Sequence, residues 1–269
     1  MTDTVRLSHR SPAARLGQGL PAGLLALAAA MASPAVRAEG LTFKPGESQW
    51  GLGLGVGVER KPYRGMDNDT LGLPLIYYEN QWVRVLGPGV DVKLPSAGPV
   101  SFRLSARYSG DGYEASDSPY LIGMAERKGG VWLGGSATWH TAFANLSAEL
   151  TADASGNSEG RQFKFEVDRR FSSGKFHFTP RLAAIQLDSK YVGYYYGVNA
   201  SEVMAGRSQY GGDSTVNMEV GLRIDYTLSP KQNIFLDLSS TSLGSAIKDS
   251  PLVDRSSQTG LRVGYLYRF

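Results

Sequence analysis

Few residues of this sequence could carry chemistry. Two histidines, His140 and His177, lie beyond residue 38, and the chain contains no cysteine. Ser136 and Thr179 lie close to them in sequence, and a hydroxyl beside an imidazole is the minimum requirement for nucleophilic catalysis. The spacing matches neither a metal site nor the sharp turn that presents a catalytic serine. We therefore expect no catalytic residue, no metal ligand, no bound cofactor and no enzymatic activity.

A run of alternating glycines is a second feature that could suggest a binding site. Gly51, Gly53, Gly55 and Gly57 do not fit the G-x-G-x-x-G pattern of nucleotide loops, and no helical pattern follows them. A spacing of two places all four on one face of a β-strand. Small residues on an inward face relieve crowding in a narrow barrel, so we expect a packing role and no phosphate binding.

The elements around these residues repeat with a period of two. From Val216 to Leu228 every even position is apolar or aromatic, and the odd positions are Asn, Glu, Gly, Arg, Asp and Thr. Successive side chains of a strand point to opposite faces. One face is therefore apolar and the other polar, which predicts strands with a lipid-facing side and a water-facing side.

About eleven segments show this alternation, each near the length of a tilted membrane strand. They are 50–60, 71–79, 82–94, 98–109, 130–141, 144–154, 161–172, 174–187, 214–228, 232–242 and 257–269. Short connections alternate with the long ones at 110–129, 188–213 and 243–256. Bacterial barrels place short turns in the periplasm and long loops outside. The sequence therefore predicts an all-β fold, a transmembrane antiparallel β-barrel.

We expect twelve strands in this barrel, with ten as the alternative. Bacterial barrels have an even number of strands, so a count of eleven means that one segment is misread. The suspect region is 41–94, because Val83 and Val90 fall on opposite parities. The intervening residues 87–89, Gly-Pro-Gly, indicate a bulge or a turn, and residues 41–44 are a further candidate for a short strand.

The polar strand faces carry charges of both signs. Those expected to point inward are Arg103, Arg107, Glu149, Lys164, Glu166, Asp168, Arg170, Arg181, Glu219, Arg223, Asp225 and Arg262. They could line an aqueous channel, or they could pair across strands and fill the lumen. A barrel of ten or twelve strands lies between small filled barrels and open porins. We favour a mostly filled lumen, because paired charges satisfy one another where water is scarce.

The first 38 residues are expected to be an export signal that is removed. Three arginines precede an apolar stretch at 20–31, which is too short to span a bilayer as a helix but suits a signal-peptide core. The small residues Val36 and Ala38 place cleavage after Ala38, with Ala32 as a second site. The remaining chain is then a short periplasmic segment at 39–49 and a barrel at 50–269.

Removal of the signal changes the charge of the chain. Residues 1–38 hold four arginines and one aspartate, so 28 basic and 25 acidic residues become 24 of each. A net charge of zero offers no basic surface, and we expect no nucleic-acid partner. The lack of cysteine excludes disulfides, thiol catalysis and a lipoprotein anchor. These features predict residence in the outer membrane of a Gram-negative-type cell, surrounded by outer-membrane lipid and lipopolysaccharide.

The last strand carries a pattern that is typical of outer-membrane assembly signals. Its apolar face ends in three aromatic residues, as expected where a strand leaves the lipid through an interfacial girdle. Arg262, Gly264, Tyr267 and Phe269 fill the four fixed places of the insertion signal that outer-membrane proteins share. We expect the barrel-assembly machinery to recognise this strand.

Three loop passages extend the likeness beyond a generic barrel. They are 111–114 with 121–128, then 194–198 with 205–207 and Tyr210, and finally 243–255. These passages resemble the MipA/OmpV family of outer-membrane proteins, and the similarity runs from about Trp50 to Phe269. The resemblance implies a scaffold that links a murein lytic transglycosylase to a bifunctional peptidoglycan synthase. Two alternatives stay open: a small porin-like channel that uses the charged lumen, and an outer-membrane hydrolase that uses His140 or His177.

Phe269→Ala, or deletion of Phe269, is expected to impair outer-membrane assembly, because this residue is the terminal aromatic of the insertion signal. Heat-modifiable migration on a gel reports the folded barrel. Unchanged yield together with unchanged heat-modifiability would contradict the assignment of the signal.

Overall fold

The computed structural model describes residues 46–269. The strands are β1 (Ser48–Arg60), β2 (Asp69–Asn80), β3 (Val83–Leu86), β4 (Gly89–Ala97), β5 (Val100–Ser109), β6 (Gly130–His140), β7 (Asn145–Asp153), β8 (Arg161–Asp168), β9 (Phe171–Ser173), β10 (Phe176–Leu187), β11 (Thr215–Ser229), β12 (Gln232–Ser242) and β13 (Ser257–Arg268). The helices are α1 (Ser189–Tyr196), α2 (Ser245–Lys248) and three 3₁₀ turns at Ala115–Asp117, Pro119–Leu121 and Ala200–Glu202. The expected signal at 1–38 and the candidate strand at 41–44 lie outside the described residues.

The strands form one closed antiparallel ring. Each strand pairs with its neighbours in chain order, β13 pairs with β1, and β10 pairs with β11. The segments β8 and β9 are one strand, because both pair with β10 in a single register. The ladder is interrupted where Arg169 donates to the carbonyl oxygen of Pro180 at 3.3 Å, since proline has no N–H to return the bond. The ring therefore contains twelve strands, and the predicted count is confirmed.

The twelfth strand comes from dividing the segment 82–94, which is not a single strand. The chain reverses at Gly87 and Pro88, so β3 and β4 form a hairpin within the wall. Gly87 adopts a φ of +55°, a left-handed conformation that glycine reaches at little cost. The change of parity seen in the sequence is therefore a turn.

This short hairpin leaves part of β2 with a free edge. The strand β3 pairs with residues 77–79 of β2, and the carbonyl of Ile76 accepts a further bond from Gly87 at 3.0 Å. Within residues 46–269, no strand pairs on this side with the part of β2 that precedes Ile76. Pro74 has the same parity as Ile76, so its ring nitrogen faces the free edge, where a missing N–H removes one unpaired donor.

The two faces of the wall differ in character as the alternation predicted. On β1, Leu52, Leu54 and Val56 point outward and are among the most exposed apolar residues, and Leu54 is 73% exposed. The alternating glycines occupy the opposite face, and a side chain at Gly53 would collide with the backbone of Tyr265 on β13. Close approach of two backbones, as well as crowding in the lumen, therefore explains glycine here.

Exposed aromatic residues gather where the short turns lie. Trp50 and Trp139 at the short-turn ends of β1 and β6, and Trp82 in the turn between β2 and β3, are each more than half exposed, and Phe143 in the turn after β6 is 78% exposed. Aromatic residues favour the boundary between hydrocarbon and water. This ring of aromatic residues therefore marks one edge of the membrane-spanning band.

A buried hydrophobic core lies at the opposite end of the barrel. It is built by four connections, 61–68, 110–129, 188–214 and 243–256, which we call the loop cap. Its members are Tyr63, Met66, Tyr113, Leu121, Met124, Tyr191, Val192, Tyr195, Tyr196, Val198, Leu243, Ala246, Ile247, Leu252 and Val253, packed against Trp132 and Leu187 of the wall. Trp132 and Leu187 lie on the inward faces of their strands, so the core of the loop cap extends into the mouth of the lumen.

Backbone and side-chain hydrogen bonds join the loops of the cap to one another. Tyr63 bridges to Val253 and donates through its hydroxyl to the carbonyl of Tyr195 at 3.2 Å. The hydroxyl of Ser250 donates to the carbonyl of Tyr196 at 2.6 Å. Burial also raises the pKa of Tyr113 to about 12, which keeps its phenol neutral. The long loops are thus a folded unit.

Leu54→Arg is expected to destabilise the barrel by about 2–4 kcal/mol, the penalty for a cation on the lipid face near the middle of the bilayer. Phe143→Arg is the matched control, because it places the same charge at the membrane boundary, where the penalty is about 0–1 kcal/mol. Refolding of both variants into lipid vesicles along a urea gradient measures the difference. Equal stability of the two variants would show that Leu54 does not face the lipid.

Candidate functional site

The charges named from the sequence lie on the polar face of the wall, which lines the lumen. Eight of them form salt bridges: Arg107, Glu149, Lys164, Glu166, Arg181, Glu219, Arg223 and Asp225. Asp168 accepts a hydrogen bond from Asn145 at 3.0 Å. The remaining three, Arg103, Arg170 and Arg262, form no salt bridge with any residue from 46 to 269. Most of the lumen charges are therefore paired, and the unpaired ones are all arginines.

The densest cluster is centred on Arg181 of β10. Its guanidinium binds Glu219 of β11 at 3.0 Å and both carboxylate oxygens of Asp237 on β12, at 2.9 and 3.0 Å. To reach β12 the side chain crosses β11 at Gly221, and it occupies the space where a Cβ would lie. All three charged side chains are no more than 16% exposed. A bidentate pair of this kind is stronger and more directional than a single contact.

Asp237 is missing from the charges selected from the sequence. It occupies a polar position of the alternating segment 232–242, but Phe235 stands two residues earlier on the same face and obscures the pattern. The structure explains that aromatic residue. The Phe235 ring covers Gly264 of β13, where a side chain would collide with it, and Arg223 lies 4.4 Å from the ring centroid. The lumen therefore holds a cation–π contact as well as ion pairs.

A second group of charges ties β4, β5 and β7 together. Arg107 of β5 binds Glu149 of β7 at 2.9 Å and lies 3.8 Å from Asp91 of β4. Lys164 and Glu166, two residues apart on β8, are joined at 2.6 Å. The contacts of Arg107 join β5 to its neighbour β4 and, across β6, to β7, so they also fix the registry of these strands.

The strand that carries the expected assembly signal closes the ring. β13 pairs with both β1 and β12, and the N–H of Phe269 donates to the carbonyl of Trp50 at 2.9 Å. The rings of Tyr267 and Phe269 meet edge to face with centroids 5.6 Å apart. Arg262 and Gly264 lie on the inward face. Recognition of these residues during assembly remains a prediction.

Each histidine of the barrel is bonded to a serine, but not to the hydroxyl residue that lies near it in sequence. His140 contacts Ser101 across the wall, with 3.0 Å between Nε2 and Oγ, and His177 contacts Ser172, with 2.8 Å between Nδ1 and Oγ. Ser136 and His140 are four residues apart on β6, about 13 Å along the strand, which is too far for contact. Neighbouring strands supply the partners instead. Within residues 46–269, no group of His, Asp and Glu could hold a metal ion.

A concave region of about 670 Å³ lies on the outer surface of the wall. Its lining includes Leu222, Leu238 and Leu261, which belong to the lipid-facing parity, and Arg60 at the end of β1. The concavity is therefore part of the surface that contacts lipid and is no pocket of the lumen.

The loop cap contains a buried ion pair. Arg127 donates to both carboxylate oxygens of Glu202 at 2.9 Å, and the two side chains are 6% and 5% exposed. Burial alone would raise the pKa of Glu202, but the N–H groups of Asn199 and Ala125 together with Arg127 outweigh it and lower the pKa below 4.5. The pair joins the second and third loops of the cap.

Sequence comparison identifies the family. The family model described as MltA-interacting protein MipA matches residues 52–269. The chain belongs to the MipA family. It is 28% identical over 228 residues to the MltA-interacting protein of Escherichia coli strain K12. This match covers 83% of this chain and 91% of that protein. It is 29% identical over 161 residues to the outer membrane protein OmpV of Vibrio cholerae serotype O1, covering 58% of this chain and 62% of OmpV.

Among solved structures, the NanC porin covers 80% of this MipA-family chain and 98% of its own, with a TM-score of 0.42 and 10% identity. The architecture of the protein is established by its own strand register. A closed antiparallel ring with an apolar outer face, in a family whose relatives are named outer membrane proteins, is an outer-membrane β-barrel.

Arg181→Leu is expected to destabilise the MipA-family barrel by about 3 kcal/mol, because it leaves two carboxylates without their partner in a largely buried site. Adding Glu219→Gln and Asp237→Asn to the same chain removes the unpaired charges and should restore most of the loss. Urea unfolding in lipid vesicles measures both variants. A triple variant no more stable than Arg181→Leu would show that the charges are not the cause.

Acid is expected to loosen the loop cap through Glu202. The pKa of Glu202 in the folded protein lies below 4.5. Its carboxylate therefore stabilises the loop cap fully above that pH, and this stabilisation is lost as the pH falls through the pKa of the folded state. Hydrogen exchange of residues 119–128 and 199–207 at a series of pH values reports the effect. Glu202→Gln should lose protection at neutral pH and show no further acid loss, while Glu126→Gln, at an exposed acid in the loop that carries Arg127, should behave like the wild type. An unaltered acid response in Glu202→Gln would refute this assignment.

Proposed function

We propose that this protein is a scaffold in the outer membrane that binds a murein lytic transglycosylase and a bifunctional peptidoglycan synthase. Family membership supports the proposal, since the name of the Escherichia coli relative states an interaction with MltA. The observation that carries it is the loop cap, whose core extends into the lumen mouth through Trp132 and Leu187. A barrel whose lumen is filled at one end is poorly suited to the diffusion of solutes across the membrane, so a binding role fits this protein better.

The short-turn end is the surface that we assign to these partners. Its turns are two to four residues long, so the strands hold their positions firmly, and the exposed ring of Phe143 projects from one of them. Because Phe143 lies at the membrane boundary, a partner bound to these turns at the membrane surface comes within reach of it. A scaffold needs no catalysis of its own, and this function uses no catalytic residue of the barrel.

Site-specific photocrosslinking tests the proposal in living cells. A photoreactive amino acid is placed at position 143 in the short-turn end, and at position 122 in the loop cap, where Ile122 is 62% exposed, as the matched control. Adducts are purified from solubilised envelopes and identified by mass spectrometry. We expect peptidoglycan enzymes crosslinked at position 143 and none at position 122. Adducts with these enzymes at position 122 alone, or none at either position in a folded barrel, would contradict the scaffold.

A small channel is the second candidate, and the unpaired lumen arginines favour it. Arg103, Arg170 and Arg262 form no salt bridge within residues 46–269, and such a set would attract anions. Planar-bilayer recording of the purified protein separates the two functions. The scaffold predicts no steady conductance, whereas a stable anion-selective conductance that falls in Arg103→Gln would establish a channel.

A further inference from the structure

Four side chains form a continuous hydrogen-bonded row at the short-turn end of the lumen. Ser101 of β5 contacts His140 of β6, with 3.0 Å between Oγ and Nε2. The Nδ1 atom of His140 lies 2.9 Å from Oδ1 of Asn145 on β7. Nδ2 of Asn145 donates to Asp168 of β8 at 3.0 Å. The row crosses four neighbouring strands, and it lies outside everything that the scaffold function requires.

The strand register produces this row. His140 lies directly opposite Asn145, and Asn145 lies directly opposite Asp168. Ser101 lies opposite Thr138, so it meets His140 on the diagonal, a distance that a long side chain spans. Rigid paired strands therefore hold all four residues, which is firmer support than loops provide.

The direction of each hydrogen bond follows from Asp168. An ionised carboxylate accepts but cannot donate, so the Asn145 amide must present its NH₂ group to Asp168. Its oxygen then faces His140, and that oxygen requires an N–H from Nδ1. A neutral imidazole with its proton on Nδ1 has a free lone pair on Nε2. Ser101 can therefore donate its hydroxyl proton only to Nε2, the arrangement of a serine beside its general base.

We propose that Ser101 is a nucleophile, and His140 its general base, in the hydrolysis of carboxylic esters at the short-turn mouth of the lumen. Asn145 and Asp168 are positioning residues that fix the tautomer and the orientation of His140. The sequence left a hydrolase that uses His140 as one alternative, but it could not identify the serine, because Ser101 lies 39 residues from His140 along the chain.

The reaction balances with water as the only co-reactant. Ser101 Oγ bonds to the ester carbonyl carbon while its proton passes to His140 Nε2. The carbon–oxygen bond to the alcohol then breaks, and the alcohol takes that proton. Water attacks the resulting acyl-serine with His140 again as base, which releases the carboxylic acid and restores the serine hydroxyl.

Charge and location define the substrate class. Arg103 lies two residues from Ser101 on the same strand face and forms no salt bridge within residues 46–269, so it can stabilise the negative oxygen that forms during attack. The row faces the lumen, on the side opposite to the lipid, and the imidazole is exposed. A short-chain ester on a polar, water-soluble carrier therefore fits the site better than the acyl chain of a membrane lipid.

The other histidine provides an internal control. Ser172 contacts His177 through Nδ1, and among residues 46–269 no side chain hydrogen-bonds to Nε2. No amide or carboxylate therefore sets the tautomer of His177. The two pairs share residue types and location near the short turns, but only the pair on β5 and β6 has a positioned base.

A fluorophosphonate probe tests the nucleophile directly in the full-length barrel folded in lipid vesicles. In this reaction the Ser101 Oγ–P bond forms, the P–F bond breaks, fluoride leaves and the serine proton passes to solvent through His140. We expect mass spectrometry to find the probe on Ser101 in the wild type and in Ser172→Ala, and on no residue in Ser101→Ala. Heat-modifiable migration confirms that each variant is folded. A folded wild-type barrel without label on Ser101 would overturn the proposal, as would equal labelling in His140→Gln.

Hydrolysis of p-nitrophenyl acetate separates catalysis from positioning. We expect Ser101→Ala and His140→Gln each to lose about 10²–10⁴-fold in kcat, the usual contribution of a general base. Asn145→Ala should lower kcat with little change in KM and should alter the pH profile of kcat. Asn145→Asp combined with Asp168→Asn keeps one carboxylate in the row and avoids two facing each other, so it should retain the base-ready tautomer and most of the rate. Turnover in Ser101→Ala equal to that of Ser172→Ala would refute a catalytic serine.

Discussion

A backbone in lipid has no water to bond with, and this constraint governs the rest of the molecule. Each N–H and C=O within the hydrocarbon must find its partner in the protein, and a closed ring of strands is one of the few solutions. Closure fixes the even strand number, brings β13 against β1, and makes side chains alternate between lipid and lumen. Where pairing fails, the chain compensates: Pro180 interrupts one ladder without changing its register, and Pro74 faces the free edge of β2.

The same constraint explains why the sequence predicts the barrel so well. Lipid accepts apolar side chains of almost any shape, so the wall is encoded mainly by alternation, and alternation is visible in a single sequence. The strand count could be corrected for the same reason, because a change of parity between Val83 and Val90 is a local signal. Only the choice between a bulge and a turn at 87–89 needed the structure, which shows a turn at Gly87.

What the sequence did not reveal depends on contacts between distant strands and loops. The core of the loop cap comes from four separate connections with no common period, so its residues look like ordinary loop residues. Asp237 was obscured because Phe235 interrupts the polar face. The serine that contacts His140 could not be chosen without the register that sets Ser101 beside it. Predicting any of these features requires knowledge of which strands and loops are adjacent, and at what offset.

The loop cap also has a consequence for how the finished molecule is recognised. Its core contains residues of both the connection before β2 and the connection before β13. It therefore cannot form until nearly the whole chain has been inserted and the ring of strands has closed. The far end of the barrel then presents one rigid, discontinuous epitope. An antibody or a phage that binds this end would distinguish a completed barrel from an unfinished one, and peptides copied from any single loop would compete poorly for it.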